Sequence, residues 1–192
     1  MQQIKLLLGT LLFLFIIQGY AQEMPKKILI TYYSKTGHTA SMAKEVARGA
    51  SEVKNCDVVV KQIEQTSHKD LLEADAIIVG GPVHNANIAS EVVTFIDNWP
   101  FEGAPLQNKI GAAFVSAGGI SSGEELAQVN ILHSMMIFGM IVVGGNDWKS
   151  PFGASLITNE KGLQNPTMEQ FFLKKGFDLG KRVAEITSKL KP

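Results

Sequence analysis

Five short apolar runs set the limits on what this chain can fold into: KILITYY (27–33), DVVVKQI (57–63), DAIIVGG (75–81), KIGAAFVSAGG (109–119) and MIVVGG (140–145). They are short and mostly rich in Val and Ile, which predicts strands buried on both faces, as in a parallel sheet. Between them lie stretches with helical spacing. Met42, Val46 and Ala50 recur every fourth residue within 39–53, and Val92, Phe95, Ile96 and Trp99 share one face of 90–99. Ser122-Gly-Glu-Glu125 reads as a capping box opening a helix over 122–138, with Ser122 as the cap and Glu125 reaching back to it. Pro166 opens a closing amphipathic helix over 168–190, anchored by Phe171, Phe172, Phe177, Leu179 and Val183. The one long irregular piece is 144–166. Strand and helix alternating in this way predict an α/β fold, a parallel sheet with helices on both faces.

The first 22 residues read differently. Lys5 is their only charge, and Leu6 to Ile17 form an almost unbroken apolar run ending near Gly19-Tyr20-Ala21. A membrane-spanning helix needs roughly 20 apolar residues, so 1–22 reads as a signal peptide cut near Ala21, with residues 23–192 as one domain exported from the cytoplasm. Retention as an uncleaved membrane anchor is the alternative. The 18 basic and 18 acidic residues leave no net charge to draw in nucleic acid or anionic lipid. Cys56 is the single cysteine and reads as packed, and the four histidines have no metal-ligand spacing.

In open parallel sheets ligands bind beyond the carboxyl ends of the strands, where strand order reverses. Three loops qualify. The first, SKTGHT, brings the hydroxyls of Ser34, Thr36 and Thr39, a glycine, and the unpaired N–H groups of a helix start, which together suit a phosphate. The alternative is that Ser34 and Thr39 only cap the helix. The nucleotide P-loop pattern and the dinucleotide G-x-G-x-x-G are both absent here. The second loop, Pro82 to Ile88, offers extended backbone and amide side chains for the edge of a flat heterocycle, and the third, Ser116 to Gly123, offers bare N–H groups. No G-x-S-x-G elbow accompanies the serines, which excludes the common hydrolase pattern.

The stretches ILITYYSKTGHTASMAKEVARGA (28–50), ADAIIVGGPVHNANIASEVVTFID (74–97), KIGAAFVSAGG (109–119), FGMIVVG (138–144) and SPFGAS (150–155) carry a resemblance. The chain resembles the flavodoxin-like FMN proteins and, within them, the tryptophan-repressor-binding-protein type of NAD(P)H:quinone oxidoreductase. The resemblance implies a doubly wound five-stranded parallel sheet of order 2-1-3-4-5 and FMN held without a covalent link. By position, Ser34, Lys35, Thr36, Gly37, His38 and Thr39 hold its phosphate. Pro82, Val83, His84, Asn85, Ala86 and Asn87 flank the ring, and Ser116, Ala117, Gly118 and Gly119 close the far side. Trp99 either walls the flavin or finishes its helix, and Trp148 and Phe152 are further candidates for covering the site.

Two departures stand out. Asn85 and Ala86 replace the family's aromatic residue and glycine in the second loop, and the insertions that build the family's tetramer are missing. A homo-oligomer therefore stays open. The implied function is two-electron transfer from NADH or NADPH through FMN to a quinone, with no catalytic side chain. The alternative is an electron carrier that docks protein partners without turning over pyridine nucleotide.

Overall fold

Residues 24–162 and 165–190 are described by the computed structural model. The expected signal peptide at 1–22 lies outside them. Among the described residues no helix is long and apolar enough to cross a membrane. The elements run β1 (Lys26–Tyr32), α1 (His38–Ser51), β2 (Cys56–Gln62), α2 (His68–Glu73), β3 (Ala76–His84), β4 (Asn87–Ile88) and α3 (Ser90–Asp97). The second half runs β5 (Ile110–Ala117), α4 (Glu124–Ile137), β6 (Ile141–Val142), β7 (Ala154–Ile157) and α5 (Pro166–Lys189).

The sheet order is β2-β1-β3-β5-β6, with every one of these neighbours parallel. Ile141 and Val142 pair with Ile110 and Gly111, while Ala154 to Ile157 pair with Phe114 to Ala117 along the edge of β5 that β3 leaves free. β6 and β7 are thus two pieces of one broken strand, and counted so the order is the expected 2-1-3-4-5. The expectation of an irregular 144–166 is corrected at 154–157: Ala-Ser-Leu-Ile is too short to stand out as a run, and only the free edge of β5 makes it a strand. β2 corrects a second expectation. It forms the opposite edge, so Asp57, Val60 and Gln62 face solvent rather than a second layer.

Alternation along the central strands feeds two cores. Ile28, Ile30, Ile78, Ala112 and Phe114 point to the face covered by α1 and α5, whose Met42, Val46, Leu179 and Val183 complete that core. Leu29, Ile77, Val79, Ala113 and Val115 point to the other face, under Leu71, Val92, Ile96, Ile131 and Met135 of α2, α3 and α4. On the first face α1 and α5 approach through glycine. A methyl at Gly49 would overlap the carbonyl of Phe177, one at Gly180 the carbonyl of Val46, and one at Gly176 the sulfur of Met42. Phe171 is 46% exposed and is not the anchor its spacing suggested, because the glycines turn the neighbouring face of α5 onto α1.

Candidate functional site

Three loops leave the carboxyl ends of β1, β3 and β5, which are neighbours in the sheet. The chain runs from β1 outward to β2 and then crosses to β3 on the other side, so strand order reverses between β1 and β3. A crevice at such a reversal is where open α/β sheets take ligands.

The first loop ends in Gly37, the N-cap of α1, at φ 92. Among the described residues the N–H groups of Lys35, Thr36, Gly37, His38 and Thr39 have no hydrogen-bond acceptor. Space is open where a Cβ at Gly37 would stand. Five unpaired donors at the positive end of a 14-residue helix form an anion cradle. Lys35, Thr36 and His38 are exposed around it. Ser34 Oγ accepts the Ala40 N–H at 3.2 Å, so Ser34 does serve the helix start, with its own hydrogen still to give. Thr39 is not a cap. Its hydroxyl, 1% exposed as a residue, lies 2.8 Å from Ser116 Oγ at the foot of the third loop.

The second loop is a two-residue hairpin turn, with His84 paired to Asn87 and positive φ at Asn85 (50°) and Ala86 (64°). That is the type I′ pattern, which favours Asn-Gly. His84, Asn85, Ala86 and Asn87 are exposed at its tip, while Pro82 and Val83 are half-buried at its base. Alanine in a left-handed conformation costs about 1 kcal/mol that glycine does not. Ala86→Gly is accordingly expected to raise the urea midpoint, by about 0.5 kcal/mol in stability after the added freedom of the unfolded chain is counted. Behind the turn, a hydrogen bond to Glu91 raises the Tyr33 phenol above its ordinary pKa. Its own backbone N–H and then the Tyr33 hydroxyl hold the Glu91 carboxyl below the usual range.

The third loop holds fewer free donors than its sequence promised. Glu160 accepts the Ile120 N–H at 2.7 Å, and Glu124 accepts those of Ser121 and Ser122 at 2.8 and 2.9 Å. The N–H groups of Gly118 and Gly119 remain without an acceptor among the described residues, above buried Ser116 and Ala117. The capping box expected of Ser122 and Glu125 is corrected: Gly123 is the N-cap of α4, and Glu124 is the carboxylate that reaches back. Gly123 also brings the loops together, since a Cβ there would stand 2.5 Å from the Cα and carbonyl oxygen of Ala86.

Trp99 is not brought to this edge. It is 4% exposed, edge-on to Phe95 at 5.7 Å and tilted on Phe138 at 5.4 Å, below α3. Because α3 runs back against the strands, its end lies at the amino edge of the sheet, so the expectation that Trp99 walls a flavin is corrected. Trp148 is 82% exposed in the loop that breaks the fifth strand, a loop held to α5 by Lys175 Nζ donating to the Lys149 carbonyl at 2.9 Å. It and Phe152 stand at the outer sheet edge. Glu160 carries no motif of its own, while Gly123 and Glu124 lie inside the Ser122–Glu125 stretch in roles that the spacing does not assign, and only the third loop's backbone picks them out.

A cavity of about 410 Å³ between Phe101, Leu106, Ile137 and Phe138 lies at the amino edge, away from the loops. One of about 370 Å³ borders the first loop, lined by His38, Leu156, Ile157, Thr158, Asn165, Pro166 and Glu169. No cluster of three metal-ligating side chains occurs among the described residues. The donor set suits FMN: a cradle of N–H donors for a phosphate monoester, and beside it two exposed backbone walls for a planar ring.

Comparison with known proteins agrees with this geometry. The NADPH-dependent FMN reductase family matches residues 27–155. A flavodoxin from Aquifex aeolicus is 33% identical over 127 residues, 64% of this chain and 66% of that one. An NAD(P)H dehydrogenase (quinone) from Methylocella silvestris is 32% identical over 86% of this chain and 98% of that one. Among solved structures, an archaeal flavodoxin superposes with a TM-score of 0.64 at 26% identity, over 84% of this chain and 99% of its own. A flavodoxin, WrbA-like protein from Agrobacterium tumefaciens reaches 0.70 at 21% identity, over 86% and 99%, a likeness of fold. With the flavodoxin-like sheet and an anion cradle at its switch point, the chain belongs to the NADPH-dependent FMN reductase family of FMN-binding oxidoreductases.

Proposed function

We propose that the chain holds FMN across the three loops and passes two electrons from NADH or NADPH to a small-molecule acceptor such as a quinone. The observation that carries this reading is the run of five unpaired N–H groups at 35–39, set at the switch point beside the exposed tip of the second loop. The relative named NAD(P)H dehydrogenase (quinone), matched over 98% of its length, supports the acceptor class.

Bound FMN supplies the hydride chemistry. The chain's residues bind and orient. Lys35 to Thr39 take the phosphate through N–H groups and the Thr36 hydroxyl, and the positive end of α1 compensates its charge. His84 and Asn87 at the hairpin tip and Gly118 and Gly119 opposite form the two sides against which the ring rests. Both sides are open to solvent, which leaves an acceptor or a nicotinamide access to one ring face.

A second reading, an electron carrier between protein partners, is favoured by the relatives named flavodoxin at 33% and 37% identity. The balanced charge speaks against it, since docking carriers gain their on-rates from a strong field of one sign. We further propose that residues 1–22 direct export and are removed, which puts residues 23–192 outside the cytoplasm.

The test is to produce residues 23–192, load them with FMN, and follow NADPH and NADH oxidation with and without a soluble quinone. Flavin reduction by either nucleotide, with faster turnover on adding quinone, is the expected result. Full FMN occupancy without reduction by either nucleotide leaves only the carrier, and a protein that takes up no FMN sinks both readings.

A further inference from the structure

We propose that Ser116 is a positioning residue for the phosphoryl end of the flavin, acting through Thr39; the inference rests on the FMN reading above. Thr39 stands in the first turn of α1 and Ser116 near the end of β5, 77 residues apart in the chain, yet their hydroxyl oxygens are 2.8 Å apart. The two residues are 1% and 5% exposed. Two hydroxyls carry two hydrogens, and one bond between them uses one. Neither oxygen has another partner among the described residues, so one buried O–H hydrogen is uncommitted. Buried polar groups are otherwise nearly always paired, so an unspent donor at the base of an anion cradle points to the anion.

Which hydrogen is spare depends on which residue donates. Ser116 is enclosed in the sheet, its backbone paired with Pro82 on one side and Leu156 on the other. Thr39 belongs to the cradle itself, since its N–H is one of the five unpaired donors. With Ser116 donating to Thr39 Oγ1, the Thr39 hydrogen is released to the cradle as a sixth donor. Ser116 then touches no phosphate oxygen, but it fixes the direction of the hydroxyl that does. The same bond ties the first loop to the third, so the distance from phosphate to ring wall is set before a ligand arrives.

The consequence is selective. A hydroxyl oriented for a phosphate monoester helps FMN and does nothing for riboflavin, which lacks the phosphate. The experiment titrates the full chain and its variants with FMN and with riboflavin, reading flavin fluorescence, and follows thermal unfolding alongside. Ser116→Ala is expected to lower FMN affinity about tenfold, the scale of a hydrogen bond to a charged group, with riboflavin affinity unchanged. Thr39→Val is expected to do the same, and the double variant to be no weaker than Thr39→Val alone, because both changes remove one coupled donor. Thr39→Ser keeps the hydroxyl and is expected to keep the preference for FMN.

An unchanged ratio of FMN to riboflavin affinity in Ser116→Ala, or additive losses in the double variant, overturns the inference alone. So does equal behaviour of Thr39→Ser and Thr39→Val. Wild-type protein that takes up neither flavin overturns the FMN reading and the inference with it.

Discussion

Gly180→Ala is expected to lower stability by about 3 kcal/mol, although alanine is the better helix former. The intrinsic preference works the other way by about 1 kcal/mol, so the sign is set by what the methyl meets. It meets the carbonyl oxygen of Val46, with Ala50 N only 3.1 Å away. Both belong to the backbone of α1 and cannot rotate aside as a side chain would. Relief requires α5 to withdraw from α1, and withdrawal loosens Leu179 and Val183 against Met42 and Val46 in the first core. Overpacking of this kind costs 1–3 kcal/mol and sometimes more. For a domain of this size the loss corresponds to a fall in Tm on the order of 10 °C. Calorimetry or denaturant unfolding reads it, with Lys181→Ala, one residue along on the exposed side of α5, as a control expected to change little. An unchanged or raised Tm for Gly180→Ala would show that the helices are not held at glycine distance.

That contact shows where sequence reading stops. The apolar runs at β1, β3 and β5 are legible because each carries its own signal, alternating sides of a fully covered sheet and a polar or glycine-rich exit. The first loop is legible for the same local reason, as a strand exit, a glycine and a helix start with only five residues between strand and helix. Gly49 and Gly180 are 131 positions apart, and nothing in either segment announces the other; they read as weak points of a helix until α1 and α5 are laid together. The same holds for Thr39 with Ser116 and for Glu160 with Ile120. The fifth strand is half legible. MIVVGG shows itself, whereas Ala154 to Ile157 is a strand only because β5 has an unfilled edge. Trp99 follows from chain direction rather than from residue pattern: a helix that starts at the carboxyl edge of a parallel sheet ends at the amino edge.

Gly123→Ala is expected to cost at least a hundredfold in flavin affinity while leaving most of the fold's stability in place. Gly123 has φ 102, a conformation that costs alanine about 1–2 kcal/mol, and the added methyl would stand 2.5 Å from the Cα and carbonyl oxygen of Ala86. Either α4 or the hairpin must give. The start of α4 is held by Glu124 on two N–H groups and by Ala127 and Ile131 in the second core. The hairpin is an exposed two-residue turn already strained at Ala86, so it moves first. Its displacement separates the two loops proposed to flank the ring, and a hundredfold loss corresponds to about 2.7 kcal/mol of lost contact. The N–H groups at 35–39, proposed to take the phosphate, are untouched. FMN and riboflavin should therefore weaken by the same factor, in contrast to Ser116→Ala, which is expected to weaken FMN alone. Fluorescence titration of the two flavins against both variants separates a ring-wall defect from a phosphate defect. If Gly123→Ala binds both flavins as the wild type does, the second and third loops do not jointly form the ring site.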